Sequence, residues 1–455
     1  MSLVDTRGKP ISPSQAERSL AISTAAGTVG TVFFVATSGA FLASFARKLG
    51  ATQFQVGIIS GILPFAGTAQ LLSAYLIETY GWRRKPVLLV SMALQRLSWI
   101  PILLLPYFLG LTSKVNATEG PVKQGTWLLF ALIVFSGLLG GFGGLAWQAW
   151  IADLVPEYRR GRFFGRRTAA TNAMWIASSI SIGRYLDLHD DFQGFAVVLG
   201  LAIAFGLLDM VIHSIVPEPE MTKQTTQSTS PLAMFLQPLA DQRFSRLILF
   251  VAAWNLAVWV KLPFVNLYML EELQLSYLTI ANLGTLYLVS MLIGSYLLGP
   301  WADVWGSKRV YSVSMTLLVN TAVFWLFANG QNWPIVLITL NIYAGLLNAA
   351  ANIGINQLLL ENSPDMGRPA YLAVFFGFTG LFAGLGPLVG GLVGDLFIGT
   401  NISIIGLELS GLKLVFALSL LLRLLTLPLL RRVESGRPKI STKPQEPIGI
   451  IPSDL

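Results

Sequence analysis

Cysteine is absent from this 455-residue chain, and histidine occurs only twice. Without cysteine there is no disulfide framework and no thiolate metal site, and two histidines are too few for an ordinary histidine metal cluster. The chain also lacks the Gly-x-x-x-x-Gly-Lys-Ser/Thr loop that cradles nucleotide phosphates, so direct ATP drive is not expected. The sequence therefore predicts no metal, no cofactor and no ATP site.

Charge is scarce as well. Only 12% of the residues are charged and 54% are hydrophobic, whereas soluble domains carry about 25% charged residues. The mean hydropathy is +0.64. Because no soluble core could hide so much apolar surface, the composition predicts an integral membrane protein whose main partner is the lipid bilayer.

The apolar residues fall into runs of the length that a membrane requires. A spanning helix needs about 20 apolar residues, and twelve such runs occur. They lie near residues 20–44, 54–78, 87–110, 127–152, 168–185, 193–216, 246–270, 278–300, 310–329, 334–358, 370–395 and 412–430.

The longest polar connection lies midway along the chain and divides these spans into two sets of six. We therefore expect a cytoplasmic N-terminal segment over 1–19 and a six-helix bundle over 20–216. A linker rich in Ser, Thr, Gln and Pro follows over 217–245, and a second bundle occupies 246–430. The polar tail over 431–455 is predicted to be disordered.

The net charge of +8 reflects topology. If the N-terminus is cytoplasmic, the inner segments hold 22 of the 31 Lys and Arg residues and the outer loops hold 4. Basic residues concentrate on the cytoplasmic side of membrane proteins. Both termini are therefore expected in the cytoplasm, no nucleic-acid partner is expected, and the cell (inner) membrane is the expected location.

The two halves repeat each other in sequence. With an offset of 225, Glu78-Thr-Tyr-Gly81-Trp-Arg83 aligns with Asp303-Val-Trp-Gly306-Ser-Lys308. With an offset of 208, Asp153, three residues before a proline, aligns with Glu361, which also precedes a proline by three. The sequence therefore predicts a duplicated six-helix unit, which is a known plan for transporters.

The segment Gly299–Arg309 carries a resemblance to a family. Its pattern Gly-x-x-x-Asp-x-x-Gly, followed by basic residues, resembles the hallmark of the major facilitator superfamily. Ser307 replaces the first base, and the earlier copy from Ala74 to Lys85 is looser. The resemblance implies an all-α membrane protein with twelve transmembrane helices in two pseudo-symmetric six-helix bundles, which expose a central site alternately to the two sides.

The resemblance also implies that these loops close one bundle against the other. Because an acid at a helix C-terminus is disfavoured by the helix dipole, we expect a cationic partner for it, with Arg159, Arg160 or Arg162 as candidates. In the alternative interpretation the bases only fix topology. The predicted latch motif comprises Glu78, Gly81, Arg83, Asp153, Arg160, Gly299, Asp303, Gly306, Lys308 and Arg309.

Span ten carries a row of amides. At about 100° per residue, its polar positions fall within an arc of about 80°, and asparagine toward lipid is costly. This face either binds a polar solute or joins helices within a bundle. Its members are Asn341, Asn348, Asn352 and Asn356, and the 208 offset places Gln148 of span four opposite Asn356.

Span seven supplies a second candidate face with Asn255, Trp259 and Asn266. Pro263 is expected to break this helix. Lys261 points away from the face, and it either binds an anionic group of the substrate, pairs internally or extends its ammonium to the membrane surface.

Asp209 and His213 in span six are four residues apart and therefore lie on one helix face. They form either a proton relay or a structural pair. Proton coupling is left open by the sequence.

These features predict a monomeric secondary carrier for a small organic solute and no enzyme, because no nucleophile, acid pair or metal cluster converges within the membrane. One alternative is an exporter of drugs or metabolites, which the glycine-rich stretch Gly380–Gly391 in span eleven favours. Another is a non-transporting sensor or assembly factor on the same scaffold.

Overall fold

The computed structural model describes residues 6, 10, 12–65, 69–110, 119–155, 160–220, 237–363, 368–404 and 407–435. Most of the predicted tail and part of the predicted linker lie outside these ranges. The described chain is almost entirely helical, as the sequence predicts.

The first half forms six spans, and breaks occur within spans one and three. Span one breaks at Thr37–Ser38, and span three breaks at Ser98. In chain order the helices of spans one to six are Pro13–Ala36 with Gly39–Lys48, Gln53–Phe65 with Ala69–Tyr80, Arg84–Leu97 with Trp99–Phe108, Glu119–Leu154, Arg160–Leu188, and Phe192–Ser214.

The second half repeats this arrangement. Span seven breaks near Lys261, as Pro263 predicts, and ends in one turn of π-helix. The helices of spans seven to twelve are Gln242–Trp259 with Leu262–Leu267 and the π-turn Tyr268–Glu272, Tyr277–Trp305, Ser307–Leu318 with Asn320–Phe327, Trp333–Glu361, Arg368–Leu396, and Gly411–Arg432.

Ten of these spans are long and apolar enough to cross a membrane, judged over the described part of the chain. The other two are span two and span five. Span five begins with a run of arginines, which lowers its hydropathy although the helix itself is 29 residues long.

Span one begins earlier than its apolar run suggests. The side chain of Ser12 accepts a hydrogen bond from the backbone of Gln15, whose own side chain accepts one from Ser12 N–H, and Pro13 occupies the first helical position. This capping box starts the helix at Pro13. The predicted N-terminal segment over 1–19 is therefore helical from residue 13.

A short β-hairpin was not expected from the sequence. Strands Asn401–Ile404 and Leu407–Ser410 pair in antiparallel register between spans eleven and twelve, with Ile402 opposite Leu409. Ser410 then caps span twelve by accepting from Lys413 N–H.

The two faces of the molecule differ in how the bundles meet. We call the face at which helix Pro13–Ala36 begins and helix Gly411–Arg432 ends the terminal face, and the opposite face the distal face. In the distal half one apolar core includes Phe45 of span one, Phe264 of span seven and Tyr277 of span eight. In the terminal half the larger apolar cores of the described chain are separate, one around Trp150 in the first bundle and one around Phe250 in the second.

Glycines bring the bundles together in the distal half. A β-carbon at Gly57 of span two would overlap the carbonyl oxygen of Pro387, and one at Gly61 would lie 2.6 Å from the carbonyl oxygen of Gly384. Span eleven thus packs backbone to backbone on span two. This contact gives the span-eleven glycines a packing role that does not depend on export.

Candidate functional site

A cavity of about 400 Å³ lies between the two bundles. Most of its wall comes from spans one to five, and span seven closes it from the second bundle. The break in span one contributes Thr37, Ser38 and Gly39 to the wall. Gly39 has φ +60°, a conformation that glycine adopts without strain, and it lets the helix restart at this point.

The cavity wall is largely aromatic. Trp99 is positioned by a hydrogen bond from its Nε1 to Ser136 Oγ at 2.9 Å, and its ring packs edge-on against Phe33. Five aromatic side chains from four spans line the space: Phe33, Phe34, Trp99, Trp175 and Trp259. This wall favours a solute with a flat apolar surface.

Two amides supply polar contacts. Gln95 is buried and fits against span four because position 140 is glycine, and its Oε1 accepts a hydrogen bond from Arg96. Asn266 faces the cavity from span seven, and its amide has no hydrogen-bond partner among the residues that the structure describes. Asn266 is therefore free to bind a polar group of a solute.

Not all predicted residues of span seven reach the cavity. Trp259 and Asn266 line it, whereas Asn255 lies outside the lining. Lys261 is buried within the second bundle, and its ammonium lies over the Trp325 ring at 5.7 Å from the centroid. The helix break next to Lys261 turns this side chain away from the cavity.

The amide face of span ten divides into two parts. Asn341 and Asn348 donate to carbonyl oxygens of their own helix at 2.7 and 2.8 Å. Asn352, Asn356 and Gln148 of span four are exposed, and they do not line the cavity. Between Asn341 and Asn348, Gly345 packs directly on span eight.

A buried charge cluster links spans one, three and six. Asp209 accepts from His213 Nδ1 at 2.8 Å, and its other oxygen lies 3.7 Å from Arg96 Nη2. His213 Nε2 lies 3.2 Å from Ser23 Oγ of span one. Gly30 leaves room for the Asp209 carboxylate, because a β-carbon at Gly30 would overlap it. Through Gln95, this cluster touches the cavity.

Arg167 lies on the same side of the first bundle, within the helix of span five. Our prediction counted it in the loop before that span, but the helix begins seven residues earlier at Arg160. Its Nη1 donates to Ser23 O at 2.7 Å, and its guanidinium lies over the Trp147 ring at 4.1 Å from the centroid. Sequence reasoning missed this residue as a candidate for the site.

The latch motif is described only in part, since the side chains of Glu78, Arg160 and Asp303 lie outside the described residues. Gly81 and Gly306 both have positive φ, +66° and +83°, and turn the chain at equivalent points. Gly299 does not turn the chain, because its helix continues to Trp305. Lys308 and Arg309 lie at the start of span nine.

The described latch residues make contacts within their own bundles. Arg83 pairs with the buried Glu218 at 3.0 Å, and Asp153 pairs with Arg84. In the second half, Glu361 accepts from Ser307 Oγ at 2.8 Å. The acid that ends span four thus binds the start of span three, and its repeat partner joins spans ten and nine.

Two acids close the distal face across the bundles. Asp187 of span five accepts from the backbone N–H groups of Tyr277 and Leu278 at 2.6 and 3.0 Å. Asp395 of span eleven accepts from those of Gln53 and Phe54 at 2.9 and 3.2 Å. A carboxylate at a helix N-terminus satisfies unpaired donors and complements the helix dipole.

An ion pair adds to this closure. Arg47 of span one lies 2.5 Å from Glu271 of span seven.

Within the part of the chain that the structure describes, no group of three His, Asp or Glu residues could hold a metal ion.

Comparison with known proteins agrees with this architecture. The profile of the Major Facilitator Superfamily matches residues 24–262 and 247–453. No curated protein matches the chain in sequence.

Among solved structures, the chain is similar to a mutant of the nucleoside transporter NupG, at 12% identity and a TM-score of 0.70, covering 91% of this chain and 99% of that one. The xylose transporter XylE from E. coli gives 15% identity and 0.63, covering 91% and 97%. The human organic anion transporter MFSD10 gives 16% and 0.57, covering 92% and 100%.

At these identities the solved structures establish the fold, and the profile establishes the family. Because the profile covers both halves of the chain, this protein belongs to the major facilitator superfamily and is an integral membrane transporter, not an enzyme.

Proposed function

We propose that this protein is a secondary transporter that carries a small organic solute through the central cavity by alternating access. The observation that carries the proposal is the 400 Å³ cavity between the bundles, which meet in the distal half and keep separate cores in the terminal half. A site enclosed by two rigid bundles can open to one side at a time if the bundles rock about it.

The orientation follows from the basic residues. The terminal face carries most of the Lys and Arg side chains, so we assign it to the cytoplasm. The arrangement is then closed toward the outside and open toward the cytoplasm. The protein is proposed to act as a monomer in the cell membrane.

The cavity supports a solute with an aromatic or other flat apolar part and hydrogen-bonding groups at its edge. The aromatic wall would contact the flat part, and Gln95 and Asn266 would bind the polar groups. The neighbours named above act on nucleosides, xylose and organic anions, according to their descriptions. These neighbours do not narrow the class of solute further.

Proton coupling is proposed through His213, which is hydrogen-bonded to Asp209 inside the first bundle. Histidine is the side chain whose charge changes most readily near neutral pH. Asp209 contacts Arg96, and Arg96 donates to Gln95 of the cavity wall. A proton on the pair of His213 and Asp209 would therefore change the contacts of Gln95.

An exporter of apolar compounds is the second candidate, and the aromatic wall is the observation that favours it. Uptake and efflux assays distinguish the two, because an exporter would deplete internal solute against its gradient. The sensor or assembly alternative predicts no flux of any solute.

The test is counterflow in proteoliposomes over a panel of sugars, nucleosides and aromatic acids. For a solute that is carried, Asn266→Ala should raise KM about fivefold, as expected for the loss of one hydrogen bond of about 1 kcal/mol. Asn255→Ala is the matched control, since Asn255 lies in the same span outside the cavity lining. Equal effects of the two substitutions, or no counterflow by folded protein, would contradict the proposal.

A further inference from the structure

The interior of the spans carries far more positive than negative charge. Among described side chains that are not exposed and lie at least five residues inside a span, four are basic and one, Asp209, is acidic. The basic residues are Arg96, Arg167, Lys261 and Arg423. In a medium of low dielectric, this imbalance produces a positive potential that repels cations and attracts anions.

Three of the four basic side chains are either ion-paired or packed against an aromatic ring. Arg96 pairs with Asp209, and Lys261 and Arg423 are buried in the second bundle against tryptophan rings. Arg423 also donates to Leu318 O and to a threonine hydroxyl at 3.0 and 2.6 Å. None of the four basic side chains lines the cavity.

Arg167 differs because its guanidinium is held in place yet keeps donors free. One face lies on Trp147, and Nη1 donates to Ser23 O. Gly27 of span one makes the space, since a β-carbon there would overlap the guanidinium. Across the described residues, its Nε and Nη2 atoms have no hydrogen-bond partner, and the side chain is only partly buried.

Asp209 does not neutralise this group. It attracts both Arg96 and Arg167 electrostatically, but only Arg96 lies within ion-pair distance of it. Its other oxygen is taken by His213. One carboxylate therefore faces two guanidinium groups, and the excess positive charge remains on the Arg167 side.

Arg167 lies between the cavity and the terminal face. Trp175, which lines the cavity, is eight residues further along span five and on nearly the same helix face, about 12 Å away at 1.5 Å per residue. Within the described chain, helix Pro13–Ala36 of span one and helix Glu119–Leu154 of span four make no extensive contact with the second bundle. A solute entering from the terminal face would thus pass Arg167.

We infer that Arg167 determines specificity by binding the anionic group of the solute, which is a small organic anion with an apolar, ring-containing body. A guanidinium held flat presents two parallel N–H donors that match a carboxylate or a phosphate. The inference rests on the proposed transport function and names its substrate class. The aromatic cavity wall accounts for the apolar body.

The test uses three probes of similar shape and different charge, which are phenylacetate, 2-phenylethanol and phenethylammonium. A fourth probe, phenyl phosphate, distinguishes recognition of a phosphate from that of a carboxylate. Binding to the full-length protein in nanodiscs is followed by tryptophan fluorescence, since Trp147 and three cavity tryptophans report on the site. We expect at least one anion to bind tenfold or more tighter than the alcohol and the ammonium.

Arg167→Gln should weaken binding of that anion at least tenfold, and Arg167→Lys should restore part of it. Arg166→Gln is the matched control, because Arg166 is the adjacent, exposed residue and the charge change is identical. Circular dichroism and thermal unfolding show whether each variant is folded. If Arg167→Gln does not fold, the comparison of Arg167→Lys with Arg166→Lys decides the point.

Failure of this inference is distinguishable from failure of the transport proposal. Anion binding that depends on Arg167 without counterflow would uphold the inference and contradict transport. Counterflow of a neutral or cationic solute that Arg167→Gln leaves unchanged would do the reverse. Binding of the alcohol or the ammonium as tightly as of the anions, or no binding of either anion, would overturn the inference.

Discussion

Asp187 and Asp395 make equivalent contacts, one from the first bundle to the second and the other from the second bundle to the first. Each ends a span and accepts hydrogen bonds from the first backbone N–H groups of a span in the other bundle. They are 208 residues apart, the offset that also relates Asp153 to Glu361. The internal repeat has therefore placed two equivalent helix caps at the distal face, where they hold the bundles together.

These caps should set the balance between the two states. Replacing Asp187 and Asp395 with alanine removes the charge and the acceptors, so the distal face should open more often. Labelling of a Ser60→Cys reporter in the cavity wall by an impermeant maleimide added from the distal side should rise severalfold. Because the chain has no native cysteine, the maleimide can label only the introduced cysteine.

Asp191 provides the control for these variants. It caps span six by accepting from Gly194 N–H at 2.7 Å, but both residues belong to the first bundle. Asp191→Ala should destabilise span six without changing the labelling of the reporter. Increased labelling in this variant, or none in the Asp187 and Asp395 variants, would show that the caps do not control closure.

The contact of span two with span eleven depends on Gly57. A methyl group at this position overlaps the Pro387 carbonyl oxygen, so Gly57→Ala should push the bundles apart in the distal half. We expect higher reporter labelling and a lower melting temperature. Gly284→Ala is the control, since its β-carbon would meet nothing within 4 Å. Equal behaviour of the two variants would refute the close-packing account.

Asp209 should matter more for stability than Asp153. Removing the Asp209 charge leaves Arg96 buried and unpaired, which costs about 3–5 kcal/mol in comparable buried pairs. The pair of Asp153 and Arg84 is more exposed, and its loss should cost about 1 kcal/mol or less. Chemical unfolding of Asp209→Asn and Asp153→Asn in detergent measures both, and a ranking in the opposite order would contradict the cluster.

His213 tests proton coupling separately from solute binding. His213→Gln removes the imidazole while keeping hydrogen-bonding capacity toward Asp209 and Ser23. Uptake driven by a pH gradient should be lost, and counterflow without a gradient should remain. His189→Gln is the control, because His189 is exposed at the distal end of span five. Gradient-driven uptake that survives His213→Gln would exclude this residue as the proton site.

The sequence predicts the spans and the repeat because both depend on local patterns. Hydrophobic length identifies helices, and the acid and glycine positions recur at fixed offsets. Trp259 and Asn266 were predicted because they fall on one face of span seven. The positive φ of Gly81 and Gly306 gives the physical reason why glycine recurs at that point of the motif.

The rest of the site depends on contacts between distant segments. Gln95 reaches the cavity because Gly140 of another span leaves space, and no local pattern encodes that pairing. Arg167 was hidden in an arginine-rich stretch that resembles a loop. Its spacing of four and eight residues from Thr171 and Trp175 along one helix face was the available signal.

Alternating access is the central claim, and distance measurements between spin labels test it most directly. One pair, Leu188→Cys with Ile398→Cys, spans the distal face, and another, Tyr80→Cys with Val304→Cys, spans the terminal face; all four side chains are well exposed. On addition of a transported solute, the distal distance should lengthen in the same fraction of molecules in which the terminal distance shortens. Two distances that stay fixed with solute, or that lengthen together, would contradict the account.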